Sequence, residues 1–357
     1  MTTENFLSDA VSEHSSSGTV CWESPSNIAL VKYWGKRGDQ LPANPSLSFS
    51  LNASRTRTQI RFEPAKSGGF EFRFDGALKP DFHPKLEQFF ARIKPYIPFL
   101  DTSFLFIDSS NTFPHSTGIA SSASAMSALA LGLTDIERSM YPERFTDDFF
   151  FQKASFLARL GSGSAARSVY GGYTSWGNLN NQDKFSDLFA SPIAPVHENF
   201  QHIHDSILIV SKAVKKVSST AGHALMQGHP FAQARFKQAQ ENHIRLQEIL
   251  QKGNWDAFTD LVETEALSLH AMMMTGTPSY FLMSPESILI LDKIREFRKT
   301  NQVSCCFTLD AGPNVHFLYP DSAKSSVLTW IDKQLKPALS NLEIIHDSIG
   351  SGSVKIS

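Results

Sequence analysis

Apolar and polar positions alternate strictly through Ser46-Leu-Ser-Phe-Ser-Leu-Asn52, Thr58–Glu63 and Phe70–Asp75, the period of half-buried strands. This predicts an early antiparallel region with one face of each strand turned inward. Thr19–Trp22 reads as a strand before it, and Asn27–Tyr33, mostly apolar and bounded by a Pro and a Gly, as a short buried strand or turn. Helix is predicted over Lys85–Ile97 and strand over Ser103–Asp108. Helical patterns then dominate at Ala120–Leu133, Phe145–Leu160 and a short stretch near Ser164–Tyr170 before Gly171–Gly177 returns to strand.

The second half opens on an apolar strand, Asp205–Ser211, and continues with helices over Pro230–Lys252, Trp255–Met274 and Ser287–Thr300. Strands follow at Val303–Leu309 and Val315–Tyr319, then a helix over Ala323–Gln334 and a last strand at Leu342–Asp347. Strands grouped in this way predict an α+β protein rather than an alternating parallel sheet. The division expected is a mobile, Ser-rich tail over 1–18, a first half over 19–200 and a second over 201–357, with no flexible linker between the halves.

A chain of 357 residues is long for one core, which points to one large or two intimately packed domains. Hydrophobic content of 41% and charged content of 19% are those of a soluble globular protein. Lys+Arg of 33 against Asp+Glu of 35 argues against a general nucleic-acid or membrane-surface binder but permits a local basic pocket. Cys21, Cys305 and Cys306 have neither paired nor zinc-ligand spacing. The last two, adjacent in an apolar run, are expected on opposite faces of a strand in a protein of the reducing cytoplasm. The N-terminus lacks the apolar run of a signal peptide, and no stretch reaches the roughly 18 apolar residues of a membrane helix.

Candidate chemistry centres on Asn111–Leu131, a loop containing Pro114 and Gly118 that runs into an Ala-rich helix. Such a junction offers an anion free N–H groups at the helix's positive end, and Ser121, Ser122 and Ser124 add hydroxyls. An ordinary Ser-capped helix is the alternative. Gly161-Ser-Gly-Ser-Ala-Ala-Arg-Ser168 fits the loose dinucleotide pattern but follows a helix, not a strand. It reads as a tight loop presenting Ser162, Ser164 and the Arg167 guanidinium, or as a Gly-rich connection with a surface Arg. Asp310-Ala-Gly-Pro-Asn314 sets a carboxylate between a strand and a turn, at an active site or in Asx-type turn bonds. Lys32-Tyr-Trp-Gly-Lys-Arg37 and Lys215–Gly222 are basic clusters, anion sites or solvated edges. Zinc-site, G-x-S-x-G and Walker motifs are absent.

In order, Ser24–Arg37, Phe113-Pro…Gly118-Ile-Ala-Ser-Ser-Ala-Ser124, Gly161-Ser-Gly-Ser…Arg167, Gly171-Gly and Asp310-Ala-Gly-Pro-Asn314 resemble the diphosphomevalonate decarboxylase family of the GHMP kinase superfamily, from about Ser24 onward. The resemblance implies a ribosomal-protein-S5-domain-2-like N-terminal half and a ferredoxin-like C-terminal half around a central cleft, in a homodimer. It also implies ATP and Mg²⁺ as cofactors and phosphorylation of the 3-hydroxyl of mevalonate 5-diphosphate. Phosphate and CO2 would then leave, giving isopentenyl diphosphate in isoprenoid biosynthesis. By the same likeness Asp310 is the catalytic carboxylate, Arg167 holds the substrate carboxylate, and Tyr33, Lys36, Ser162 and Ser164 contact substrate and phosphates. Lys32 and Lys216 are further phosphate partners. Asn111, Gly118, Ser121, Ser122 and Ser124 face ATP, with Ser124 toward Mg²⁺. His115 departs from the Thr-Ala-Ala common in the loop before Gly118. Alternatives are a decarboxylase of the 5-monophosphate, a mevalonate kinase, and a non-catalytic metabolite-binding member.

Overall fold

The computed structural model describes residues 1–8, 16–114, 119–179, 184–211, 219–339 and 341–357. Its frame is an antiparallel pair, β1 (Gly18–Val31) and β2 (Ser46–Pro64). The two alternating stretches read separately in the sequence are the ends of the one strand β2. Between Pro25 and Asn27 the register shifts, where the proline has no N–H to donate. Past that irregularity the β1–β2 pair changes surroundings: residues 46–51 of β2 are buried on both faces, whereas its far end alternates.

β3 (Gly69–Phe74) and α1 (His83–Ile93) precede β4 (Ser103–Asn111), which pairs with the far end of β2. β3 lies parallel to β4, not antiparallel as expected, because α1 supplies the long crossover that a parallel pair requires. α2 (Ser121–Met140) and α3 (Asp147–Gly161) pack together on this sheet. α2 runs a further seven residues beyond the predicted Leu133. The apolar pattern stops there, but Asp135 and Glu137 are buried against partners: the Trp22 indole at 3.1 Å and the Lys153 ammonium at 2.6 Å. β5 (Tyr173–Trp176) pairs with the near end of β2.

The second half contributes β6 (Ile203–Ile209), α4 (Ala232–Lys252), α5 (Trp255–Met274), α6 (Pro285–Asn301), β7 (Cys306–Thr308), β8 (Val315–Pro320), α7 (Lys324–Trp330), β9 (Glu343–Ser348) and β10 (Val354–Lys355). A four-stranded antiparallel sheet runs β7-β8-β6-β9. On one face Ile207, Leu318 and Cys306 share a core with Ile28, Leu30 and Phe49 of the first half. On the other, Cys305, Phe307 and Phe317 pack with Ile290 and Trp330. Cys305 and Cys306 therefore do point to opposite faces, and both are buried free thiols.

The C-terminal segment also crosses the division read near residue 200. β10 returns to pair with β1, Lys355 opposite Trp22. The chain before it presses so close to Gly171 that a Cβ there would lie 2.2 Å from the Ser351 backbone, which explains that glycine. Residues within the stretch read as a mobile tail also pack: Thr3–Phe6 form a 3-10 turn whose Phe6 is fully buried and stacked on Phe156 at 4.4 Å. Among the described residues no helix is long and apolar enough to cross a membrane.

Candidate active site

Arg167 lies on a 3-10 segment, Gly163–Val169, that leaves the end of α3. A Cβ on Gly163 would come within 2.8 Å of the Tyr33 hydroxyl and 2.9 Å of Trp176, so glycine lets this segment close on β1. The Arg167 side chain is buried between strands. Its Nε donates to Ser48 Oγ at 3.0 Å, one terminal nitrogen to Ser46 Oγ at 2.5 Å, and the other to Asn27 Oδ1 at 3.2 Å. One N–H on each terminal nitrogen keeps no acceptor among the described residues. Burial lowers the guanidinium pKa to about 10, with Asp310 opposing, so it stays charged at neutral pH.

Asp310 follows β7 and comes to Lys32, just past β1, at 3.0 Å. Lys32 is buried and Asp310 partly exposed, so the carboxylate is the open member of the pair. Burial pushes the ammonium pKa down, and Asp310 and then Glu265 push it back. Expected at a phosphate, Lys32 is here the charge partner of Asp310.

The Tyr33 ring meets Trp176 edge-on at 4.7 Å and tilts against His223 at 4.3 Å. Its hydroxyl is buried without a hydrogen-bond partner among the described residues, and burial raises its pKa. Lys36, half-buried, donates to Gln40 at 3.2 Å; burial and then Arg92 lower its pKa. Lys85 of α1 is an exposed residue, yet neighbouring atoms take water from its ammonium and, with Lys36, lower its pKa, so these cations lie near one another. Ser162 Oγ lies 3.4 Å from Ser122 Oγ and joins the Gly-Ser loop to the start of α2. Ser164 gives its carbonyl to Asn27 at 3.3 Å.

At that start, Ser121 and Ser122 line a cavity of about 250 Å³ with Asn111, Lys85 and an apolar wall of Phe72, Phe74, Phe82 and Leu86. The cavity thus joins an apolar slot to hydroxyls and a cation beside a helix N-terminus, where anions are stabilised. Ser124 does not reach it. Its fully buried hydroxyl donates to Thr56 Oγ1 at 2.6 Å, with the Ser121 carbonyl a second acceptor at 3.2 Å, while Thr56 donates to Asn111 at 2.8 Å. Ser124 is therefore committed to the protein, and Ser121 and Ser122 are the hydroxyls left for a ligand. Gly118, His115 and Lys216 lie outside the described residues. No group of three or more His, Cys, Asp or Glu suited to a metal occurs among the described residues.

Ser46, Ser48 and Asn27, which hold Arg167, and Lys85, Phe72 and Phe74 are not among the site residues expected from the sequence. Signals existed: serines at every second position of a strand whose other face is Leu-Phe-Leu, and the Phe stripe of β3. Nothing in the apolar pattern of α5 marks Glu265.

Residues 24–187 match the model of the diphosphomevalonate decarboxylase-like N-terminal domain, and residues 206–353 that of the mevalonate 5-diphosphate decarboxylase C-terminal domain. The chain is 30% identical to a diphosphomevalonate decarboxylase of Ganoderma lucidum over 88% of its own length and 82% of the relative's. A mevalonate diphosphate decarboxylase structure from Staphylococcus aureus superposes with a TM-score of 0.82 at 26% identity, over 96% of this chain and 100% of that one. A structure of MDDEF in complex with MVAPP, AMPPCP and magnesium does so with a TM-score of 0.82 at 25% identity, over 96% and 100%.

Proposed function

The chain belongs to the diphosphomevalonate decarboxylase family, and from that premise we propose that it decarboxylates mevalonate 5-diphosphate at the expense of ATP, yielding isopentenyl diphosphate, ADP, phosphate and CO2. The observation that supports this reading most is two opposed devices near enough to act on each other: a buried Arg167 with N–H groups unused among the described residues, and Asp310 held by Lys32.

The chemistry divides between them. A tertiary hydroxyl is a poor leaving group until phosphorylated, and phosphoryl transfer is catalysed mainly by positioning and charge. Asp310 orients the 3-hydroxyl and accepts its proton as the O–P bond forms. When the C3–O bond then breaks, phosphate takes its electron pair and C3 becomes electron-poor. The C1–C2 bond supplies electrons for the new C2=C3 bond, and CO2 leaves. Arg167 grips the carboxylate with two parallel bonds and so aligns the bond that must break.

Tyr33, Lys36, Ser162 and Ser164 take the 5-diphosphate: a hydroxyl unpartnered among the described residues, a cation and two loop serines supply the donors such a group needs. Asn111, Ser121, Ser122 and Lys85 face the phosphates of ATP, with its base in the Phe72–Phe74–Phe82 slot. Mg²⁺ fits this donor set, being held largely by phosphate oxygens and water with few protein ligands, and Ser121 and Ser122 can reach it. Bound there it would neutralise phosphate charge. Three buried free cysteines accord with a reducing cytoplasm, and a homodimer is carried over from the family.

Purified protein incubated with ATP and either mevalonate 5-phosphate or the 5-diphosphate tests the reading. CO2 and ADP in equal amounts from the diphosphate alone are expected. ADP without CO2 would make it a kinase, and neither product would make it a binder.

A further inference from the structure

Helix α5 touches the main chain of both members of the Lys32–Asp310 pair. Glu265 Oε2 accepts the N–H of Lys32 at 2.9 Å, and His270 Nε2 donates to the Asp310 carbonyl at 3.2 Å. The Lys32 N–H lies one residue beyond the last β1–β2 partner, Val31 opposite Leu47, so the ladder does not take it. Asn44 holds the other side of this residue through its carbonyl at 2.9 Å. Glu265 is itself fully buried and held by two bonds from Arg235, at 3.0 and 2.5 Å, and one from Asn242 at 2.6 Å. Burial lowers the His270 pKa to about 4, so at neutral pH the ring is uncharged with its hydrogen on Nε2, as a bond to a carbonyl requires.

A buried ion pair is weak evidence for stability, since a well-packed apolar pair of the same volume does as well or better. Arg235–Glu265 spends that cost where it meets the backbone of one site residue, while His270, on the same helix, meets the backbone of the other. We propose that Glu265 and His270 are positioning residues that set the separation of Lys32 and Asp310, which come from different halves of the chain. The proposal rests on the role given to Asp310 above. Among the described residues, the charged and titratable groups acting on the pair include Arg167, Glu265, His270, Asp205 and, through Glu265, Arg235. A nearby ammonium favours the charged form of a carboxylate, so if Lys32 and Asp310 drift apart the acid limb of kcat is expected to move upward.

The test compares His270→Leu, which removes the donor, with His270→Gln, which restores one, and adds Glu265→Gln and Asp310→Asn. Measured are kcat, KM for both substrates, the kcat–pH profile and the folded fraction. For His270→Leu, kcat is expected to fall about ten- to a hundredfold, with KM values unchanged within about twofold and the acid limb raised. His270→Gln recovers most of the loss. Glu265→Gln raises the acid limb likewise; should it not fold, the His270 variants decide alone. Wild-type kcat and acid limb in His270→Leu, with Asp310→Asn inactive, would overturn the positioning role and leave Asp310 in place. Loss that follows the folded fraction and is not recovered by His270→Gln would also overturn it. An active Asp310→Asn would overturn the assignment of Asp310 instead.

Discussion

Replacing Arg167 by lysine keeps the buried charge and removes the planar fork. In the wild type the fork satisfies Ser46, Ser48 and Asn27 and still has an N–H on each terminal nitrogen for a carboxylate. An ammonium carries three hydrogens on one atom and cannot do both. A hydrogen bond to a charged group contributes about 1.5–3 kcal/mol. Of two such bonds to the substrate carboxylate the lysine regains about one, so the net loss is about 1.5–3 kcal/mol. That corresponds to about a ten- to hundredfold fall in kcat/KM for mevalonate 5-diphosphate, at 1.4 kcal/mol per tenfold. Coupled detection of ADP together with trapped CO2 measures it, and thermal melting of the same samples separates it from unfolding. The KM for ATP is expected to stay near the wild-type value, because Arg167 does not line the cavity assigned to ATP. A kcat/KM within about threefold of wild type, with an unchanged melting temperature, would mean that Arg167 only braces β1 and β2.

Tyr33→Phe removes a buried hydroxyl that has no partner among the described residues, so the melting temperature is expected to hold or rise, while KM for the substrate increases about tenfold if that oxygen meets a phosphate; an unchanged KM would remove Tyr33 from the site. Phe6→Ala empties a fully buried position stacked on Phe156 and is expected to cost about 3 kcal/mol of stability in urea titration with kcat untouched; no change would mean that the segment does not contribute to the core in solution. Acid should destabilise the protein through His223, His243 and His270, whose pKa values burial lowers to about 3, about 3 and about 4. The unfolded chain binds these protons near pH 6.5, so the stability present above that value is lost as pH falls, by about 2 kcal/mol per histidine at pH 5. Asp205, whose pKa burial raises, works in the opposite sense. Urea midpoints at pH 7 and pH 5 measure the sum, and equal midpoints would refute it.

Local pattern determined most of the element list, because strand and helix periods are properties of neighbouring residues. The Gly-Ser loop, the Asp310 turn and the Ser-rich start of α2 were visible for the same reason: glycine, hydroxyl and carboxylate types reveal themselves without a partner. Tertiary structure alone decided what each polar residue faces. Ser124 and Ser122 are two positions apart and chemically alike, yet Thr56 takes the hydroxyl of one and the cavity receives the other. Lys32 and Lys36 share a basic cluster, yet Asp310, far along the chain, claims only the first. Glu265 stands in an apolar helix with no local mark of importance, and its meaning comes from the backbone of Lys32 and the guanidinium of Arg235. The return of β10 to β1 and the burial of Phe6 are of the same kind. Sequence pattern carries the free energy of short-range order, whereas the pairing of buried charges and strand ends is settled by which distant groups exclude water together.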